Sequence, residues 1–339
     1  MIPVPTMEWK EGRLVLLDQR ELPGREIYFS CDTVEILADS IRTLAVRGAP
    51  AIGIAAAYGA VTAMKEAGEG ENFREKTLEL VDVLAKTRPT AVNLFNCLDI
   101  QRKIIRECNT RKEGLSELLL SAERMFSEDL KASMEMGRLG AALLPDNCTV
   151  LTHCNAGGLA TAGLGTALSV IYKAFENGKL KEVYADETRP LLQGARLTSW
   201  ELSKAGIPVK VIPDSAAASL IASGRIDAVI TGADRIAMNG DSANKIGTLS
   251  LAVNAGRAGI PFYIVAPVTT FDSEAQTGKE IVIEERGRGE LASLGDRQLL
   301  PEGVGVFNPA FDVTPVELIT AIVCERGVIS SPEKLLRQG

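Results

Sequence analysis

Histidine occurs once in this 339-residue chain, at His153. A histidine-rich metal site is therefore excluded. The six cysteines, at 31, 97, 108, 148, 154 and 324, include no CxxC pair. That spacing argues against a zinc site or a thioredoxin-like redox motif. Basic residues are in deficit: 37 Lys and Arg against 44 Asp and Glu give a formal charge of −7. Binding nucleic acid through its phosphates needs clustered Lys and Arg, so no nucleic-acid partner is expected. A local basic pocket for one small phosphate stays compatible with the count. Met1 to Lys10 lack an apolar signal core, and the cysteines are expected to be reduced thiols in a cytosol. A long membrane-spanning run is missing too. Gly48 to Met64 carry no charge, but they are mostly Ala and Gly, open with Gly-Ala-Pro and are short for a span. A tightly packed helix is the expectation, and no membrane partner. Internal repeats and low-complexity segments are also absent.

What is present suits two domains. Apolar residues make up 46% and charged residues 24%, enough for a sizeable core. The first part reads as helical: Val34 to Val46, Ala51 to Ala67, Phe73 to Lys86, Thr90 to Cys108 and Leu115 to Leu144. Breaks fall at Arg47-Gly48-Ala49-Pro50 and Thr87-Arg88-Pro89, where Gly and Pro punctuate helices. A short hairpin is expected between Leu14–Leu17 and Glu26–Phe29. After Pro145 the rhythm changes to short Val- and Ile-rich runs alternating with helical segments. Thr149–Thr152, Glu182–Ala185, Val209–Ile212, Ala228–Thr231 and Phe262–Ala266 read as strands covered on both faces. This predicts an α/β fold with a doubly wound, mostly parallel sheet. The expected domains are 1–125, mainly helical, and 126–339, α/β.

In such sheets ligands bind outside the carboxyl ends of the strands. Polar groups follow nearly every predicted strand, including His153-Cys154-Asn155, Asp186 to Pro190, Pro213-Asp214-Ser215 and Gly232 to Arg235. The glycine-rich run Asn155 to Gly165 leads toward a helix, whose free N–H groups would suit a phosphate; a plain tight turn is the alternative. A dinucleotide reading fails because Gly163 and Gly165 lack the third glycine, Leu168 standing there. Cys154 sits between a strand and an expected helix start, a place that favours the thiolate; a buried apolar cysteine is the bland alternative. His153 points away from Cys154 and is expected to be a packed or hydrogen-bonded neighbour. Asp234 follows an apolar strand, where desolvation would raise a carboxyl toward general acid–base work; a turn former is the alternative. Lys245, read at a helix start with Asn244, makes sense beside an anion. Arg47 and Arg88 lie in the two breaks, as phosphate- or hydroxyl-binding forks or as solvated surface groups. Arg286 to Gly305, charged and glycine-rich, is either a mobile loop or a static connection.

Five segments carry a resemblance over nearly the whole chain. They are Arg47 to Gly53, Thr152 to Gly157, Glu187 to Pro190 with Gln193 to Thr198, Thr231 to Arg235 with Asn244 to Thr248, and Asn308 to Pro315. Together they resemble the methylthioribose-1-phosphate isomerase family, within the superfamily of the translation initiation factor 2B regulatory subunits. The resemblance implies a helical N-terminal domain, a Rossmann-like C-terminal domain, a cytoplasmic homodimer and no metal or cofactor. It implies conversion of 5-methylthioribose 1-phosphate to 5-methylthioribulose 1-phosphate, with Asp234 as proton donor and Cys154 assisting the transition state. Arg47, Gly48, Ala49, Arg88, Gln193, Asn244 and Lys245 would hold substrate. One departure is visible: a Trp is expected after Asn93-Leu94-Phe95, where Asn96-Cys97 stand. The alternatives are a ribose-1,5-bisphosphate isomerase and a non-catalytic regulatory subunit. The presence of both Cys154 and Asp234 argues against the second.

Overall fold

The structure, a computed structural model, describes residues 4–88 and 92–329. The chain forms two compact units: Met1–Met134 with Ala156–Gly165, and Glu135–Asn155 with Thr166–Gly339.

The first unit opens on an antiparallel sheet of β1 (Met7–Lys10), β2 (Arg13–Leu17) and β3 (Tyr28–Cys31). The expected hairpin exists, but its return strand lies later than predicted: Leu14 pairs with Cys31 and Leu17 with Tyr28. β1 was missed because Met7-Glu8-Trp9-Lys10, though it alternates apolar and polar residues, is only four residues long. Its Trp9 ring stacks on Tyr58, centroids 5.3 Å apart. Helices follow: α1 (Val34–Arg42), α2 (Ala49–Ala67), α3 (Phe73–Ala85), α4 (Val92–Glu107) and α5 (Arg111–Ala142). Thr33 caps α1 by accepting the Ile36 N–H. α1 stops at Arg42, short of the predicted Val46, because Leu44 adopts a positive φ of 63° and the Val46 N–H turns back to the Ser40 carbonyl. The expected break at Pro89 and helix start at Thr90 lie outside the described residues.

α2 is buried almost all round as far as Met64, which accounts for the absence of charge before Lys65 and Glu66. Leu37, Ile41, Leu84, Leu94 and Leu98 surround it, all inaccessible to solvent. Small residues allow that closeness: a Cβ on Gly59 would meet Leu37 at 2.6 Å and Leu84 at 2.7 Å. Cys97 faces Gly53, where a Cβ would lie 2.9 Å from its sulfur. A small residue at 97 therefore fits the contact between α2 and α4, and Asn96 is exposed. Among the described residues no helix is long and apolar enough to cross a membrane.

The second unit holds β4 (Cys148–Thr152), α6 (Ala167–Glu176), β5 (Leu180–Asp186), α7 (Ser199–Lys204), β6 (Val209–Ile212), α8 (Ala217–Ala222) and β7 (Ala228–Thr231). It continues with β8 (Arg235–Ala237), β9 (Ser242–Lys245), α9 (Thr248–Ala258), β10 (Phe262–Val265), β11 (Phe271–Asp272), α10 (Gly289–Ala292) and the β12–β13 pair (Ser293–Leu294, Arg297–Gln298). β14 (Phe311–Thr314), β15 (Ala321–Cys324) and β16 (Gly327–Ile329) complete it. A seven-stranded sheet runs β16-β15-β10-β7-β4-β5-β6. Every neighbouring pair is parallel except β15–β16. The fold class is thus the expected Rossmann-like α/β arrangement beside a mainly helical unit.

Counted in chain order, the parallel strands lie 3-2-1-4-5-6, the doubly wound order whose direction reverses between β4 and β7. Leu151, Val229, Ile264 and Ile322, one from each of four central strands, pack with Ile221 of α8 and Leu251 of α9. β15 and β16 were not anticipated; the run Ala321-Ile322-Val323-Cys324 is short and sits beyond the last predicted helix. A second sheet, β11-β8-β9-β14, was also missed. It holds Asn244 and Lys245, which are strand residues rather than the predicted helix start. Arg286 to Gly305 contains α10 and the β12–β13 pair, and Arg288 donates to the Pro301 and Val304 carbonyls at 2.6 and 3.0 Å.

All six cysteines are free. Burial pushes the Cys31 and Cys97 thiols up to about 12 from an ordinary 9.0. An unfolded thiol titrates near 8.5, so between the two values the folded chain binds more protons and stability falls as pH rises. Urea unfolding at pH 8 and about pH 10.5 is expected to show this loss. Replacing both residues by Ala should flatten the fall; an unchanged slope would contradict the assignment.

Candidate active site

The sheet reverses direction where β4 and β7 lie side by side, with Thr152 paired to Ile230. The chain leaves β4 into His153-Cys154-Asn155 and leaves β7 into Gly232-Ala233-Asp234. Neighbouring carboxyl ends at a reversal open the crevice in which such sheets bind ligands.

Cys154 is buried and has φ +60°, a left-handed conformation that costs a side-chain-bearing residue strain unless its surroundings enforce it. The surroundings do. Its N–H donates to Thr188 Oγ1 at 2.8 Å, and its carbonyl accepts from Thr198 Oγ1 at 2.6 Å. Thr188 Oγ1 in turn donates to the Asp186 carbonyl at 3.1 Å, and the Asp214 carboxylate accepts the Thr188 and Arg189 N–H groups, each at 2.7 Å. Next to Cys154, the Asn155 amide donates to buried Glu201 at 2.8 Å and to Thr198 at 3.2 Å. The helix expected directly after Cys154 begins only at Ala167. The turn's hydrogen bonds, not a helix terminus, therefore define this cysteine's surroundings.

A π-helical turn over Gly194–Thr198 delivers Thr198 to that carbonyl and carries Gln193 at its start; such wide turns recur at functional sites. Gln193 is buried, and its Oε1 has no hydrogen-bond partner among the described residues. A buried acceptor left open is costly, and a ligand hydroxyl would satisfy it. Gly194 permits the turn: a Cβ there would lie 1.7 Å from the Asp186 carbonyl oxygen.

The glycine-rich run is less open than predicted. The Gly163 and Gly165 N–H groups go to Thr161 Oγ1, at 3.2 and 2.9 Å, and the Ala162 N–H goes to Asp129 at 2.7 Å. These donors are engaged within the chain rather than presented to an anion.

Asp234 lies between β7 and β8, its N–H bonded to the Ala243 carbonyl at 2.9 Å. It is exposed, so the expected desolvation of its carboxyl is not provided by the chain alone. β9 pairs with β14, setting Asn244 opposite Asp312 and Lys245 opposite Phe311. Two sequence hallmarks that lie far apart in the chain are thus adjacent strands. Lys245 is buried; its Nζ donates to the Ala310 carbonyl at 3.0 Å and sits 4.5 Å from the Phe311 ring centroid. The Asn244 amide donates to Thr248 Oγ1 at 2.9 Å. At the following helix, Asp312 accepts the Gly247 and Leu249 N–H groups at 2.7 and 3.1 Å, capping α9. In the first unit, Gly48 caps α2 with φ +93°, Ala49 opens that helix, and Arg47 precedes it half-buried. Arg88, also half-buried, follows α3.

His153 is fully enclosed, as its expected structural role requires. Nδ1 lies 2.8 Å from Asp186 Oδ2 and Nε2 lies 2.8 Å from the Ile246 carbonyl. Burial works to lower its pKa, but the Asp186 carboxylate, the Ile246 carbonyl and the Asp214 charge outweigh it and hold the imidazole above its ordinary range. His153, Asp186 and Asp214 place ligand-type atoms within 4.8 Å of one another. Both ring nitrogens and both Asp214 oxygens already have partners, however, and 2.8 Å between Nδ1 and Oδ2 is a hydrogen bond rather than room for an ion. The site residues that sequence reasoning left without a role, Thr188, Thr198, Glu201 and Asp312, stand mostly in the quoted motifs. Their part shows only when the turn around Cys154 is assembled.

A 3-2-1-4-5-6 sheet with a constrained cysteine and an aspartate at its reversal defines an α/β protein of the small-ligand-binding kind. The chain belongs to the Initiation factor 2 subunit family, which matches residues 45–331. It is 53% identical over 328 residues to the methylthioribose-1-phosphate isomerase of Thermotoga neapolitana, covering 96% of this chain and 95% of that protein. Among solved structures, the 5-methylthioribose 1-phosphate isomerase of Pyrococcus horikoshii aligns with a TM-score of 0.93 at 43% identity, covering 98% of this chain and 95% of that one. A structure described as translation initiation factor eIF-2B subunit delta from A. fulgidus aligns with a TM-score of 0.89 at 46% identity, covering 98% and 97%.

The Gly194 contact generates a direct test. Gly194→Ala is expected to lower unfolding free energy by about 1–3 kcal/mol, the range for overpacking a close contact. Urea denaturation measures it, and an unchanged midpoint would mean that the turn relaxes freely.

Proposed function

We propose that this chain is an aldose–ketose isomerase that converts 5-methylthioribose 1-phosphate to 5-methylthioribulose 1-phosphate in methionine salvage. One observation supports this most: the turn holding Cys154 and the loop holding Asp234 leave neighbouring strands at the sheet reversal, in a chain 53% identical to an enzyme of that name. Phosphate on the anomeric oxygen prevents ordinary ring opening, so the enzyme must open the ring by acid catalysis. Asp234, entering protonated, gives its proton to the ring oxygen as the bond from that oxygen to C1 breaks. In one route Cys154, as thiolate, takes the proton from C2, and the freed electron pair forms the C1–C2 double bond. The enol then loses its hydroxyl proton, C1 gains one, and the ketone stands at C2. In the other route a hydride passes from C2 to C1 after ring opening and the C2 hydroxyl loses its proton. Both leave the atom count unchanged, as an isomerisation must.

Arg47, Gly48, Ala49, Arg88, Gln193, Asn244 and Lys245 hold the substrate in this reading. The open Gln193 Oε1 supports its share of that work. We further propose that the protein works as a cytoplasmic homodimer on this small sugar phosphate, without nucleic-acid or membrane partners, and without a metal or cofactor. The likeness to the structure described as an initiation factor subunit supports a second reading, a non-catalytic regulatory subunit. The pairing of Cys154 with Asp234 favours the enzyme.

Cys154→Ser and Asp234→Asn are each expected to lower kcat by about 10²- to 10⁴-fold, the usual weight of a general acid or base, with the fold retained by circular dichroism. Near-wild-type turnover in either variant would remove that residue from the mechanism.

A further inference from the structure

The single histidine is placed to do more than fill space. Its ring joins three parts of the second unit. The backbone of His153 follows the last residue of β4 and leads directly into the Cys154 turn. Nδ1 meets Asp186 at the end of β5, and Nε2 meets the carbonyl of Ile246, the residue after Lys245. The next residue packs close to the ring: a Cβ on Gly247 would meet Cε1 at 2.9 Å and Nε2 at 3.0 Å. The imidazole therefore fixes the spacing between the Cys154 turn and the strand end that bears Asn244 and Lys245.

Proton placement follows from the partners. A carbonyl oxygen only accepts, so Nε2 carries a proton. Nδ1 faces a carboxylate oxygen, and the remaining Asp186 oxygen, Oδ1, is buried without a hydrogen-bond partner among the described residues. Burial pushes the Asp186 carboxyl above its ordinary range, and the hydrogen bond and charge of the His153 ring work against that; the ring is the group that compensates the buried Asp186 charge. Asp214, Asp312 and Glu187 add negative charge around the pair. Asp214 and Asp312 each accept two backbone N–H bonds, which favours their ionised forms. For Asp312 burial opposes this and leaves its carboxyl above the ordinary range.

We propose that His153 is a positioning residue: a doubly protonated imidazolium, with Asp186 as counter-ion, that clasps the Cys154 turn to the Asn244–Lys245 strand end. The kinetic part of the proposal rests on the isomerase reading; the charge state does not. Removing the charge loosens the clasp without unfolding the chain, because an asparagine at 186 can donate its amide to an Nδ1 that has lost its proton. Misplacing a reacting group by a fraction of an ångström to an ångström costs up to about 10²-fold in rate.

Because the chain has one histidine, nitrogen-15 NMR of the ring needs no assignment. The wild-type protein is expected to keep two protonated ring nitrogens as the pH rises past the ordinary imidazole value near 6.5. A ring with one proton at neutral pH, or one that titrates near 6.5, overturns the proposal even if the protein turns over no sugar phosphate. Asp186→Asn is expected to lose one ring proton at neutral pH and to lower kcat by about tenfold or more while KM stays nearly constant. A neutral ring with unchanged kcat would show that the charge has no positioning role. If that variant does not fold, the wild type decides: its kcat must fall at alkaline pH together with the second ring proton, and separate midpoints refute the link.

Discussion

Two hydroxyl groups, Thr188 Oγ1 and Thr198 Oγ1, hold the backbone of Cys154 at its N–H and its carbonyl, and the arrangement of the candidate site depends on that grip. A side-chain-bearing residue at φ +60° does not stay there unaided. Once it is held, the chain can turn sharply out of β4 and present a thiol at the reversal of the sheet. The two threonines come from different places: Thr188 from the segment after β5, Thr198 from the π-helical turn that needs glycine at 194. The motif Glu187 to Pro190 and the motif Gln193 to Thr198 are therefore two supports of one turn. Their hydroxyls hold the Cys154 backbone from both sides.

The same logic extends to β9 and β14. Asp312 caps α9 and stands opposite Asn244, while Ala310 and Phe311 receive the Lys245 ammonium. A buried lysine is expensive unless its charge is met. Here a carbonyl and an aromatic face meet it, and its backbone register is fixed by the strand pair. Rigid strands rather than loops carry Asn244 and Lys245, which suits the substrate-holding role proposed for them.

Much of this was legible in the sequence, for definite reasons. Ala228–Thr231 was predicted to the residue because a fully covered parallel strand is an unbroken apolar run. Val209–Ile212 was also predicted to the residue, but it is an edge strand that carries Lys210 and is exposed at Lys210 and Val211, not covered on both faces as expected. The loops that carry Cys154 and Asp234 were singled out by reading what comes after each strand. Elements whose signal is short or not local were missed. β1 is only four residues long, with Met7 and Trp9 as its apolar positions, and forms a hairpin with the adjacent β2. β9, whose Asn244 and Lys245 read as a helix start, gains its form from β14, which is distant in sequence. Lys245 was assigned to a helix start because Asn239-Gly240-Asp241 announces a turn, and nothing local reveals that β14 will pair with the residues that follow. Cys154 illustrates the same limit. Its position after a strand was plain, but the helix expected behind it begins only at Ala167, and its positive φ is set by threonines 34 and 44 residues away. The glycine-rich run likewise looked open to phosphate until Thr161 and Asp129 were seen to take its N–H groups.

The central claim is the identity of the reaction, and a turnover assay on purified protein tests it most directly. Methylthioribose 1-phosphate and ribose 1,5-bisphosphate are supplied in parallel, and ketose formation is followed by phosphorus and proton NMR. Clear preference for the methylthio sugar is the predicted result. Turnover of the bisphosphate instead would keep the chemistry and overturn the substrate, and silence on both would contradict the enzyme reading and favour a regulatory subunit.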